Sequence, residues 1–141
     1  MEIEGFNFPE GLYYEKNHFW ARVEGDLVVM GMNDYAQLMS GEIVYIGLPP
    51  LGKKLKQGKN FSKMESGKWL GKVYAVVSGE LVEVNEELEE NAKLINDDPF
   101  GKGWMFKIKP DNLDELDNLM TDSDEIGEWM REEITKYGVA S

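Results

Sequence analysis

Cysteine is absent from the 141 residues, and histidine occurs once. Without thiols the chain can build neither a disulfide scaffold nor a thiolate metal site, and its composition fits a reducing cytoplasm. The single histidine, His18, rules out a His cluster for metal, and no Ser-His-Asp constellation gathers around it. Beside Phe19-Trp20 it reads as a packed, hydrogen-bonded side chain. Positive charge is also scarce. Fifteen Lys and Arg stand against 27 Asp and Glu, giving a net charge of -12 and a sequence pI of about 4.5. Nucleic-acid phosphates would be repelled by such a surface. No apolar run approaches the roughly 20 residues of a membrane span. The start, MEIEGFNFPEG, has neither the basic region nor the apolar run of a secretory signal. These absences predict a soluble cytoplasmic protein of one domain, with no nucleic-acid or membrane partner and enough chain for a proper core.

What is present reads mostly as strand. FWARVEG and LVVMG (Phe19 to Gly31) are two β-type runs split by Glu24-Gly25-Asp26, a hairpin signal. NDYAQLMSG predicts one short helix, capped by Asn33 or Asp34 and stopped by Gly41. A strand over EIVYI then ends at Pro49-Pro50, because proline cannot donate to a ladder. NFSKMES, KWLGKVYAVV, GELVEVN and GWMFKIKP continue the series. Strands this short, cut by glycine and proline, predict a small all-β barrel or sandwich with a core from about 12 to 110. From about 111 to 138 the period becomes helical. Asp122 with Glu125 resembles a capping box, and Ile126, Trp129, Met130, Ile134 and Tyr137 share one face that should pack on the β core.

SGEIVYI (Ser40 to Ile46) and SGELVEV (Ser78 to Val84) repeat one pattern, which suggests two pseudo-symmetric halves. On that symmetry the hairpin at Lys68 would be matched by another around Met30 to Asn33. Two sharper motifs fail on inspection. In GKKLKQGKN the glycines stand one residue too far apart for a phosphate loop, and Asn60 replaces the magnesium-holding hydroxyl. DSDEIGEWMREE puts Asp122, Asp124, Gly127 and Glu133 at calcium-loop positions, but Ile126 occupies the fifth, so a capped helix is the better reading. The acidic run NEELEEN reads as a solvated face.

One residue remains to be explained. In KMESGKWLGKVY, Lys68 stands between Gly67 and Trp69 where two strand runs reverse. An amine at a hairpin apex is exposed, open and rigidly presented, as enzymatic acylation of a single lysine requires. Gly67 can supply the positive φ of a tight reversal. An ordinary solvated lysine is the alternative.

HFW (His18 to Trp20), GMNDYAQ, GEIVYIGLPPLG, MESGK (Met64 to Lys68), VSGELVEVNEEL, LINDDPFGKGWMFKIKP and DELDNLM are together similar to the glycine cleavage system H-protein family, in the family's order across Leu12 to Met120. The resemblance implies a mainly β barrel-sandwich hybrid of the lipoyl-domain type, with two pseudo-symmetric antiparallel sheets, a short helix and C-terminal helical additions. It implies a non-catalytic carrier with lipoic acid amide-linked to Lys68 by a lipoate ligase or lipoyl transferase, which would recognise Glu65 and Gly79. In the glycine cleavage system such an arm passes an aminomethyl group from glycine decarboxylase to aminomethyltransferase and is reoxidised by dihydrolipoyl dehydrogenase. The family places two carboxylates near that cargo's ammonium. Here those positions are Phe19 and Lys72, and Trp69 follows the lysine. A lysine replacing a carboxylate turns attraction into repulsion. The cleft of Phe19, Trp69 and Lys72 therefore favours a sulfur-borne cargo, as in the H-protein-like branch that serves heterodisulfide-reductase-like complexes in sulfur oxidation. The aminomethyl carrier is the alternative, and a non-lipoylated interaction module is the reading of another class.

Overall fold

A computed structural model describes residues 1–138 of the chain. The chain opens with a small hairpin, β1 (Glu2–Ile3) and β2 (Phe6–Asn7), followed by β3 (Tyr13–Glu15), β4 (Phe19–Glu24) and β5 (Leu27–Met32). Helix α1 (Asp34–Ser40) leads to β6 (Ile43–Ile46), β7 (Lys54–Leu55), β8 (Asn60–Ser66), β9 (Leu70–Tyr74) and β10 (Gly79–Val84). The short helices α2 (Glu87–Glu90) and α3 (Leu94–Asp97) precede β11 (Phe106–Pro110), a 3-10 segment (Leu113–Asn118) and α4 (Ser123–Tyr137). Six strands form one sheet in the order β3-β4-β5-β11-β10-β7, and three form another in the order β6-β8-β9, all paired antiparallel.

The main core lies between these sheets. Ile43, Ile46, Met64 and Val73 of the small sheet meet Ala21, Val28, Met30, Leu81, Phe106 and Ile108 of the large one. A second core sits on the far side of β4 and β5. There Trp20 and Val29 pack with Ile3, Phe6 and Phe8 of the N-terminal segment and with Ile126 and Met130 of α4. Strands covered on both faces lose the inside–outside alternation of a half-buried strand. Hence Phe19-Trp20-Ala21 and Val28-Val29-Met30 are buried throughout. Trp20 lies against its cross-strand partner Gly31, where a Cβ would sit 2.7 Å from the indole. Ile3, Phe6 and Phe8, which precede the core anticipated from sequence, are thus part of the packed interior.

Several expectations hold. Glu24-Gly25-Asp26 turns β4 into β5. Asn33 caps α1 by accepting from the Ala36 N–H at 2.9 Å, and Gly41 ends the helix at φ 77°. Asp122 caps α4, accepting from the Glu125 N–H at 3.1 Å. The related segments 40–46 and 78–84 do supply strands of opposite sheets, β6 and β10. The second hairpin predicted around Met30 to Asn33 is not there. β5 runs through Met32 directly into the cap of α1, because its Met30 is occupied pairing with Phe106 of β11. KWLGKVYAVV is strand only from Leu70 to Tyr74, and the acidic run contains α2, anchored by buried Leu88.

Gly79 has a backbone reason to be glycine. Its φ is 157°, and a Cβ there would fall 2.1 Å from the Lys109 carbonyl oxygen of the paired strand. Gly79→Ala is expected to cost roughly 3 kcal/mol, from strained φ and overpacking together. Urea unfolding checks it, and a midpoint equal to the parent's would show that β10 and β11 separate freely.

Candidate functional site

Strands β8 and β9 pair from Asn60↔Tyr74 to Glu65↔Leu70, with a register shift between Asn60 and Ser62, and reverse through Gly67 to Trp69. The Ser66 N–H donates to the Trp69 carbonyl at 2.8 Å and closes the reversal. The Lys68 N–H donates to Ser66 Oγ at 3.3 Å. Lys68 is exposed at the apex, as expected, and pairs with no carboxylate among the described residues. The expected role of Gly67 is corrected: its φ is not positive, and a Cβ would meet nothing within 4 Å. The glycine that the lysine needs is Gly41, at the end of α1, where a Cβ would lie 3.0 Å from Lys68 Cε.

Beside this tip opens a cleft of about 490 Å³ between the small sheet, α1, the start of β4 and α4. That volume lies in the range of small-molecule sites. Phe19, Trp69 and Lys72, predicted as a cleft, all line it. Trp69 lies over Gly71, where a Cβ would collide with the indole, so the bare backbone of β9 is what lets the ring settle there. Lys72 is exposed, faces Lys63 across the ladder, and sits at the rim together with exposed Lys16. The structure does not gather every predicted residue here. Glu65 is half-buried in β8 opposite Tyr45 and Leu70, while Gly79 is buried in the other sheet.

Sequence reasoning missed the deep wall of the cleft, made by His18, Tyr35 and Glu133. His18 Nε2 is 2.6 Å from Glu133 Oε1, and the imidazole stacks on Trp129 with ring centroids 4.7 Å apart. The proton's place follows from the helix cap. Asn33 Oδ1 accepts from the Ala36 N–H, so its Nδ2 is the amide that faces His18 Nδ1 at 3.1 Å. A donor there makes Nδ1 the acceptor and puts the proton on Nε2, which donates to Glu133. Burial lowers the imidazole's pKa, against the pull of Glu133, and keeps it neutral. His18 also holds φ 78°, an uncommon backbone for a non-glycine residue. The sequence carries one signal of this arrangement, Glu133 on the helical face that also bears Trp129 and Met130, and it was read only as a calcium-loop position.

The turn that presents His18 is organised by buried Glu15, whose carboxylate accepts from the Asn17 N–H at 2.7 Å and from Asn17 Nδ2 at 2.6 Å. Burial outweighs these bonds and raises its pKa to about 7.

The sequence profile described as Glycine cleavage H-protein matches residues 12–133. The chain belongs to that family. It is 44% identical over 132 residues to a probable glycine cleavage system H protein of Pyrococcus abyssi, covering 93% of this chain and 98% of that one. It is 42% identical over 118 residues to a glycine cleavage system H protein of Acinetobacter baumannii, covering 84% and 95% respectively. In three dimensions it resembles the crystal structure of a glycine cleavage system H protein from Mycobacterium marinum, with a TM-score of 0.77 at 29% identity over 86% of this chain and 98% of the other. The fold is therefore the lipoyl-type barrel-sandwich. Members of the family are non-catalytic carriers with lipoate attached covalently to a lysine. These relatives bear the name of the glycine cleavage alternative, not of the sulfur-oxidation reading that the cleft residues favoured. No helix of the described residues is long and apolar enough to cross a membrane.

Glu15 generates a pH prediction. Between the ordinary 4.5 and about 7, the folded chain holds a proton that the unfolded chain has released. Stability should therefore fall as pH rises through that window and level off above it. Urea titrations of the parent and Glu15→Gln across pH 4 to 8 are expected to show the difference moving steadily in the variant's favour up to about 7. A pH-independent difference would mean an ordinary carboxyl.

Proposed function

We propose that Lys68 bears the lipoate of this chain and that the arm serves the glycine cleavage system, carrying the aminomethyl group from glycine decarboxylase to aminomethyltransferase. The observation that carries the reading is an exposed amine at the apex of the β8–β9 reversal, beside a small-molecule cleft. The residues fit the group: Lys68 has open surroundings for amide formation, and its stem rests on Gly41. Amide-linked to Lys68, lipoate would supply a reducible disulfide able to carry a group on sulfur, with dihydrolipoyl dehydrogenase as the partner for its redox chemistry. The chain's own residues then do the rest. Phe19 and Trp69 present apolar walls that exclude water, and the ladder of β8 and β9 fixes where the amine stands. A lipoate ligase or lipoyl transferase would read the reversal through Glu65, while Gly79 serves it by keeping β10 and β11 in register.

Intact-mass spectrometry after co-expression with a lipoate ligase tests this. The parent is expected to gain one lipoyl group and Lys68→Arg none. A parent that stays unmodified would return the chain to the class of interaction modules.

A second reading keeps the lipoyl arm but gives it a sulfur-borne cargo and a heterodisulfide-reductase-like partner. It is favoured by one observation, the two lysines, Lys16 and Lys72, at the cleft mouth. Both are exposed, and exposed charges contribute little. On the glycine reading, Lys72→Asp is expected to be loaded by glycine decarboxylase within about fivefold of the parent. A parent that is not loaded at all, together with a sulfur turnover that Lys72→Asp weakens, would favour the second reading.

A further inference from the structure

The charges of the cleft are sorted by depth. Lys16 and Lys72 stand exposed at its mouth, while the Glu133 side chain is only 14% exposed and is the one carboxylate among the described residues that line it. Water screens the lysines, whereas a carboxylate withdrawn from water acts through a lower effective dielectric. Tyr35, Trp69 and Tyr74 line the same cleft, and aromatic rings can attract cations. Among the described residues, one oxygen of Glu133 is engaged, by His18 Nε2. A neutral imidazole orients the carboxylate without cancelling its charge, and an imidazolium would cancel it. Asn33, fixed by the cap of α1, keeps the imidazole in the donating tautomer.

We propose that Glu133 holds the protonated amine of the cargo, with His18 and Asn33 as positioning residues. This rests on the reading of the chain as an aminomethyl carrier and assigns the counter-charge to the C-terminal helix, since Phe19 and Lys72 cannot provide it. The interaction is an ion pair and charge-assisted hydrogen bond from the ammonium to Glu133 Oε2, and no covalent bond changes.

The test uses the full chain, lipoylated and then loaded from ¹³C-glycine by glycine decarboxylase without an acceptor for the cargo. The lifetime of the loaded aminomethyl group, followed by ¹³C NMR, is expected to shorten about tenfold or more in Glu133→Gln. Glu133→Asp, which keeps the charge but withdraws it, should fall between. Glu132→Gln, on the exposed outer side of α4, should match the parent. A purely structural role would not move a second readout: at constant pH, loading should shift the ¹³C resonance of the Glu133 carboxyl in the parent. An unchanged lifetime in Glu133→Gln, or a Glu133 carboxyl resonance unmoved by loading, overturns the proposal. Failure of the parent itself to load, seen as an unchanged mass, overturns the carrier reading beneath it and this inference with it.

Discussion

Strands β4 and β5 are buried on both faces, and most of the molecule's arrangement follows from that demand. One face meets the small sheet, and this contact makes the barrel-sandwich core. The other carries Trp20 and Val29, which the sheet cannot cover by itself. Leaving them in water would forfeit a transfer energy of roughly 1.5–3 kcal/mol for each fully buried side chain. The N-terminal hairpin and α4 supply the cover through Ile3, Phe6, Phe8, Ile126 and Met130. Because α4 docks there, its next turns pass the start of β4, and Glu133 arrives against His18. Tyr35 Oη donates to the Gly138 carbonyl at 2.8 Å, so the end of the helix is tied to α1 as well. The chemistry of the cleft is therefore a consequence of covering a hydrophobic face.

Local signals were legible and distant ones were not. The β4–β5 turn, the Asn33 and Asp122 caps and the exposed tip at Lys68 are each fixed by a few adjacent residues, so composition and spacing reveal them. Phe19, Trp69 and Lys72 could be grouped only through a family resemblance, and they do share one cleft. Glu133 lies 115 positions from His18, and no periodicity links two residues that meet through docking of separate elements. The wrong expectation at Met30 to Asn33 has the same origin. The repeated segments do lie in opposite sheets as β6 and β10, but the repeat could not reveal that β5 is claimed by β11 and passes straight into a helix. Gly67 failed for a subtler reason, since a strand reversal does not require a positive φ at every glycine near its apex.

Glycine's role around the site is mainly one of room. Gly41 leaves space for the stem of Lys68, and Gly71 for the ring of Trp69. In both cases a missing side chain decides where a large neighbour rests. A carrier needs this combination: the amine must stand clear of the protein to be modified, yet the wall beside it must be filled so that water does not enter. On the proposed reading, Trp69 would meet the second need one residue after Lys68 meets the first. Lys68 is exposed and Trp69 half-buried, within the turn closed by the bond from the Ser66 N–H to the Trp69 carbonyl.

On the proposed reading, the electrostatic pattern reconciles a lysine-bearing cleft with a cationic cargo. Counting charges in the sequence puts Lys72 where the family has a carboxylate and predicts repulsion. Position changes the weight of each charge. An exposed ammonium is largely compensated by solvent at physiological ionic strength, where the screening length is about 8 Å. A carboxylate held by a neutral imidazole behind aromatic walls keeps more of its field. On the proposed reading, Glu133, the one carboxylate among the described residues lining the cleft, outweighs the two lysines at the rim, so a chain lacking both family carboxylates could still receive an ammonium. His18 connects these facts: the buried Glu15–Asn17 turn sets its backbone, the helix cap sets its tautomer, and that tautomer leaves Glu133 its charge.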